Sequence, residues 1–400
     1  MKPVYPSLQS TNPLAGWSSV LASLVIGIWM PAPLARAGVT FTTNSLISSA
    51  NLAYEGQDIV VQGCTLTVNG LHGFNSVSLL SGAVLTHQAT TQAQEYSLTL
   101  TLANNLLVDG TSRIDVSGRG YLPGYSLGNA TNGAANYTAG GSYGGLAPAC
   151  CGSSGANGVY GDYHNPNELG SGSGTYSGGA PGGGLVRIAA SGAQVDGGIL
   201  ANGGTGPEGG SGGGVWLNVG TLSGAGQITA NGGNGKSFDG GGGGRVAIYY
   251  GSSTFNLSSN VTANAGSGPQ GVGSVGTVYL QPAGGLGQLV ISSHGTATGL
   301  WTPLGVGTNE VFQAEMLLVS GSNVVAAPQH QMAMAVGAVS IVDGAVLTHQ
   351  PTTAAQEYSL LLAVTNNLLV DGTSSIDVSG RGYLPGYTLG NTTNGAAGFT

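Results

Sequence analysis

The chain has 400 residues, with 8 Lys/Arg against 16 Asp/Glu, a formal net charge of −8 and only 6% charged residues. Nucleic-acid binding needs clustered cations that displace counterions from phosphates, and docking on anionic lipid needs the same; no such cluster exists here. Glycine reaches 75 residues, 38 of them between positions 140 and 244. With so little charge and many short Val/Ile/Leu runs, this composition predicts ordered β-structure joined by glycine loops rather than a disordered chain.

The first 37 residues read as a secretory signal. Lys2 precedes an apolar core, Val20 to Met30, and Ala35-Arg36-Ala37 supplies a small-x-small cleavage pattern before Gly38. That apolar stretch is shorter than the roughly 20 residues a membrane span needs, and no later segment reads as a transmembrane helix. The expected location is therefore secreted or cell-surface. Short strands follow at Ile59–Val61, Thr65–Val68, Val77–Leu80, Leu106–Val108 and Ile114–Val116, with the Asp109-Gly110 turn between the last two. Ser97–Leu102 (SLTLTL) alternates with the period of a half-buried strand. Helix is nearly absent, because charged helix formers and a 3.6-residue period are both missing.

Residues 118–184 read as a long glycine-, tyrosine- and asparagine-rich loop inserted in this pattern. After it a phrase recurs from about 183 to 281: LVRIAA starts at 185, VWLNV at 215, VAIYY at 246 and TVYL at 277, steps of 30, 31 and 31. Between these runs lie LANGGTG, TANGGNG and TANAGSG. A unit of this kind cannot bury its own apolar face, but stacked units make a continuous core. A longer repeat lies over the short one. Residues 82–138 return at 344–400 with 11 differences in 57 positions. Leu98, Leu100 and Leu102 become Leu360, Leu362 and Val364, while the alternate Thr99 and Thr101 drift to Leu361 and Ala363. Inward positions keep their character and outward ones wander. The expected organisation is a signal (1–37), a first unit (38–343) and a second copy cut short (344–400).

The predicted fold is an all-β, right-handed parallel β-helix (β-solenoid) with coils of about 30 residues. A dozen such coils spaced about 4.8 Å apart would form a rod on the order of 55–60 Å long. Every coil pairs with its neighbours, so open sheet edges are expected only at the two ends. The segments TLTVNGLHGFNSVSLLSGAVLTH (65–87), LLVDGTSRIDVSGRGY (106–121) and the GGGxVxI…ITANGG units resemble the glycine-rich parallel β-helix surface proteins of bacteria, including adhesins and autotransporter passenger domains. The resemblance implies secretion, the β-helix fold and a surface or extracellular role. It implies no catalytic motif.

Candidate chemistry is sparse. Asp109, Asp196, Asp239, Asp343 and Asp371 each precede Gly, as tight turns require. Asp115, Asp162 and Arg187 are the candidates for a polysaccharide lyase or glycoside hydrolase, the alternative reading; Asp115 can equally bond its adjacent turn. Arg187 and Arg245 form either an exposed ladder gripping acidic sugars or caps on a strand edge. The richest local chemistry is the loop, where Tyr121, Tyr125, Tyr143, Tyr160, Tyr163 and Asn165, with Asn129, Asn132 and Asn167, offer rings and amides to a glycan. The bland reading is that those tyrosines fold the loop onto the wall. Asp162, His164 and Glu168 are the only close acid–His group, a weak metal candidate for which calcium is the one cofactor left open. Cys64 bridging one of Cys150 and Cys151, or three unpaired thiols, are both open. The expected function is an exported structural or adhesive protein binding polysaccharide or other cell-surface components, with no catalytic constellation.

Overall fold

The computed structural model describes residues 38–131, 134–152, 155–294, 300–305 and 311–393. The predicted signal, Asn132 and the last residues of the second copy lie outside these. The described strands belong to the unit Arg36–Thr400. It is nearly all β, with 40% strand and 3% helix, and Leu257–Asn260 is its one α-helical turn among the described residues. No helix among them is long and apolar enough to cross a membrane.

Three sheets carry the strands: one of fourteen, one of seven and one of four. The chain alternates between them. From Arg113–Asp115 in the second sheet it passes through the long loop to Leu185–Val195 in the first, then Gly198–Leu200 in the second, Gly214–Ser223 in the first and Gln227–Thr229 in the second. Neighbouring strands are parallel, as crossovers of this kind require. Val186 pairs with Val215, Val215 with Val246 and Val246 with Val278, steps of 29, 31 and 32. The sequence phrases, matched by their first residues, are thus one residue out at the first and last rungs. The register is set by which side chain must point inward, because a slip of one would turn every buried valine outward.

The inward residues form a narrow aliphatic core. Ile59, Leu79, Val108, Ile188, Leu217 and Ile248 are completely buried. Leu98, Leu100 and Leu102 are buried too, and the intervening Thr101 is exposed. At Thr277–Pro282 the parallel run breaks: that strand pairs antiparallel with Gln288–Ser292. The Ala283–Gly287 linker between them permits the reversal, with Gly284 at φ +68°. Parallel pairing resumes beyond it, and a second aliphatic cluster forms around Leu289, Val319, Val336 and Ile341. The spacing is less regular than one phrase of about 30 residues implies, falling to 18 between Asp58 and Ser76 and to 22 between Phe312 and Met334.

Between the strands, the glycine segments pack backbone on backbone. Gly203 N donates to Asn231 O and Gly232 N to Asn264 O, joining successive coils. Gly210 N donates to Gly204 O, Gly241 N to Gly233 O and Gly273 N to Gly266 O, tying the two arms of a coil to each other. A Cβ on Gly212 or Gly243 would lie closer than 3.0 Å to backbone atoms of Ala230 or Ala263 and of the next coil. Only glycine allows chains to approach this closely. The loop 118–184 is stitched on in the same way: Gly141 N donates to Gly209 O, Gly242 N to Gly141 O and Gly183 N to Ser211 O. It has almost no regular secondary structure but is a packed outer layer.

Candidate functional site

Residues of the loop meet the first sheet where Arg245 opens the strand Arg245–Ser253. Arg245 is fully buried rather than exposed, which removes it from any sugar-gripping ladder. The loop covers it: Nε donates to Tyr160 O at 2.9 Å, one terminal nitrogen reaches Thr277 Oγ1 at 3.2 Å, and the guanidinium lies 5.5 Å from the centre of the Tyr143 ring. Its second terminal nitrogen has no hydrogen-bond partner, and burial lowers its basicity. Arg187 sits 4.6 Å over the Trp216 ring and donates to Pro166 O and, at 2.8 Å, to Asn165 Oδ1. Both arginines fasten the loop.

The tyrosines lie inside the structure. Tyr121, Tyr143 and Tyr163 are buried, and Tyr125 and Tyr160 are half-buried. Tyr143 donates to Glu168 Oε2 at 3.1 Å, Tyr160 to Leu169 O at 2.7 Å and Tyr163 to Gln313 O at 3.1 Å. Desolvation holds the Tyr143 and Tyr160 hydroxyls far above the ordinary tyrosine range, so both stay neutral donors. The Tyr163 ring packs with His164, Tyr279 and Phe312. These rings are loop core, and the bland reading of them is the one that matches their positions. Asn165 is exposed, but its carbonyl oxygen is held by Arg187. Asn129 anchors the loop through Thr91 O and Gln92 O.

The enzymatic candidates are each engaged locally. Asp115, on the second sheet, accepts from Arg113 Nε at 3.1 Å and from Ser117 N at 3.0 Å. Asp162 pairs with His164 at 3.1 Å, which draws its carboxyl below the usual range. Glu168 is tied instead to Tyr143 and to Asn167 N. Asp162, His164 and Glu168 therefore do not converge, and no group of three or more acids, histidines or cysteines able to hold a metal ion is found among the described residues. Cys64, Cys150 and Cys151 are free thiols, Cys64 donating to Phe41 O at 3.3 Å.

Two features escape a reading by motif. Glu208 and Asp239 are completely buried, and the thiol and backbone N–H of Cys150 lie against the Asp239 carboxylate. Gly209 N donates to Asp239 O at 2.9 Å, so the two acids occupy neighbouring rungs one coil apart. Asp239 is therefore not the turn residue that its Asp-Gly pair suggests, unlike Asp109 and Asp371, whose carboxylates do accept from their turns. Burial, with the Asp239 charge adding to it, pushes the Glu208 carboxyl up to about 7. Their one-coil separation was the available signal.

The second feature is a groove of about 700 Å³ along the second sheet, crossing the rungs of Arg113–Asp115, Gly198–Leu200, Gln227–Thr229 and Val261–Thr262. Thr111, Arg113, Gln227, Asn231, Thr262 and Asn264 line it. At its margin an asparagine ladder climbs coil by coil: Asn202 Oδ1 accepts from Asn231 N at 2.8 Å, and Asn231 Oδ1 from Asn264 N at 2.7 Å. Outward residues of successive strands align because the ladder is parallel and in register, and no single motif encodes that alignment. Such a surface offers amide and hydroxyl donors and acceptors side by side, which suits a hydroxyl-rich polymer better than an apolar ligand. Compared with protein-family models, curated proteins and solved structures, the chain matches none of them.

Proposed function

We propose that this chain is an exported right-handed parallel β-solenoid of the adhesin-like kind, serving as a structural and adhesive rod at the cell surface or in the extracellular matrix. Its contact surface for polysaccharide is the second-sheet groove, not the tyrosine loop. The observation that carries this reading is the polar groove crossing four consecutive rungs, beside tyrosines that are turned inward. A glycan chain repeats along its axis, and so does a parallel ladder; matched repeats let modest hydrogen bonds act together. The test is a glycan array probed with the full chain. Binding to hydroxyl-rich polysaccharide is expected, weakened roughly tenfold or more by Gln227→Ala with Asn231→Ala, since each lost hydrogen bond contributes about 1 kcal/mol. If no glycan binds, the adhesive half of the proposal fails and a structural role alone remains.

A further inference from the structure

Two tyrosines of the loop do the opposite of those that form its core. Tyr137 is 44% exposed and Tyr176 41%, against 1% for Tyr121 and 0% for Tyr143. The centres of their rings lie 4.6 Å apart, and the Tyr176 ring meets that of the half-buried Phe238 edge-on at 5.3 Å. Two of these rings come from the loop and the third from a glycine arm of the coils. Together they make one aromatic patch that faces solvent. None of the three lines the second-sheet groove.

The backbone holds this patch in place. Tyr176 N donates to Tyr137 O at 3.1 Å, Gly174 N to Ala139 O at 2.8 Å and Phe238 N to Pro207 O at 3.0 Å. A Cβ on Gly174 would lie 1.9 Å from Tyr137 O, and one on Gly268 2.0 Å from Phe238 O, so the segments that carry the rings pack backbone on backbone. Tyr137 itself sits in the left-handed region at φ +49°, and Ser177, next to Tyr176, at φ +59°. A bulky residue takes that conformation only where its surroundings impose it, and such strain collects at binding sites. The repeated segment has Phe399 at the position of Tyr137, keeping the ring and dropping the hydroxyl.

The chemistry around the rings selects the ligand. Their exposed chain neighbours are Asn136, Thr175, Ser177 and Ser237, all polar. A stable protein partner needs a broad contact, which three rings in a polar rim do not offer. Nucleic-acid bases also stack on rings, but beside a positively charged groove, and Lys236 is the one Lys or Arg in segments 134–178 and 232–244. A pyranose ring matches both parts of the patch, with a flat C–H face for the aromatic rings and hydroxyls for the amide and hydroxyl side chains around them.

We propose that Tyr137, Tyr176 and Phe238 form a stacking subsite for one pyranose ring of a polysaccharide, taken at a flat face of axial C–H groups. The inference rests on the reading of this chain as a polysaccharide-binding rod and adds a second contact, separate from the groove.

The test titrates a hexasaccharide of β-1,4-linked glucose, whose ring hydroxyls are all equatorial, into the full chain by calorimetry and by saturation-transfer NMR. Saturable binding is expected, with saturation passing from aromatic protons of the protein to ring C–H protons of the sugar. The groove has no aromatic residue in its lining, so that signal reports the patch alone. Tyr137→Ala with Tyr176→Ala should weaken binding at least about tenfold and abolish the aromatic transfer, whereas Tyr137→Phe with Tyr176→Phe should stay within about twofold, because the rings remain. Both positions are exposed, so the far-ultraviolet spectrum and melting temperature should not change. In the Gln227→Ala, Asn231→Ala chain the aromatic transfer should persist; its persistence there while long polysaccharide is no longer held would support the patch and leave the groove as a separate contact. Aromatic transfer and affinity that survive the alanine pair would overturn the subsite and leave the groove reading standing. No binding of the hexasaccharide to the full chain would overturn it as well.

Discussion

Within one coil, two kinds of packing lie a few residues apart. The strand Gly214–Ser223 buries Val215, Leu217, Val219 and Leu222 against the strands on either side, and side chains fill the space between walls. In the arms 203–213 and 232–244 most residues are glycine, and hydrogen-bonded backbones touch directly. An aliphatic core is tolerant, since neighbours relax around a lost methylene at a graded cost. A backbone core has nothing to relax except the coils themselves. The difference teaches where this molecule is brittle: in the glycine arms.

The sharpest way to break that comparison is to add one carbon to each region. Gly212→Ala and Gly243→Ala are expected to destabilise by about 3 kcal/mol or more, or to prevent folding, because the new Cβ meets backbone on two sides. Gly158→Ala, where a Cβ meets nothing within 4 Å, should stay within about 0.5 kcal/mol of the parent. Denaturant unfolding of the three variants decides; equal losses would dissolve the distinction.

The aliphatic side is sharpened by removing carbon from leucine in two surroundings. Leu106→Ala should cost about 2–5 kcal/mol, whereas Leu71→Ala, on the outward face of the strand Gly70–Phe74, should cost less than about 1 kcal/mol. Melting temperatures of the two variants measure this directly.

A smaller effect follows from the charges held in each region. Glu208, in a glycine arm, has its folded carboxyl raised to about 7, above an unfolded value near 4.3. The folded chain therefore holds this proton more tightly, so its contribution favours folding at low pH and declines as pH rises from about 4 to about 7. Glu208→Gln should flatten that decline, as read from melting temperature against pH. Asp109, in the turn between two strands, behaves oppositely. Desolvation opposes its ionisation, but Ser81 N–H and the Thr111 and Ser112 hydroxyls outweigh it and hold the carboxyl far below the usual range. Its stabilisation is present above about pH 4 and lost on acidification. Asp109→Asn should reduce the acid sensitivity while costing about 1 kcal/mol at neutral pH.

The strands were legible in the sequence where one face is buried, because alternation such as Leu98-Thr99-Leu100 reports burial residue by residue. The candidate site was less legible. Arg245 looked like an exposed strand-edge cation, but its partner Tyr160, in the loop that buries it, lies 85 residues away along the chain. Asp239 looked like a turn residue because Asp-Gly is a local signal, while its burial beside the Glu208 rung depends on coil-to-coil register. The groove was invisible for the same reason: Arg113, Gln227 and Thr262 become neighbours only when the rungs are stacked.

The sequence by itself determined the all-β class, the repeat and the inward face of each strand, since these follow from periodicity and from residues that cannot be buried or exposed without cost. Only the tertiary structure decided which glycines touch and which tyrosines and acids are enclosed. Those properties belong to contacts between distant parts of the chain, where a residue takes its environment from whatever is packed beside it.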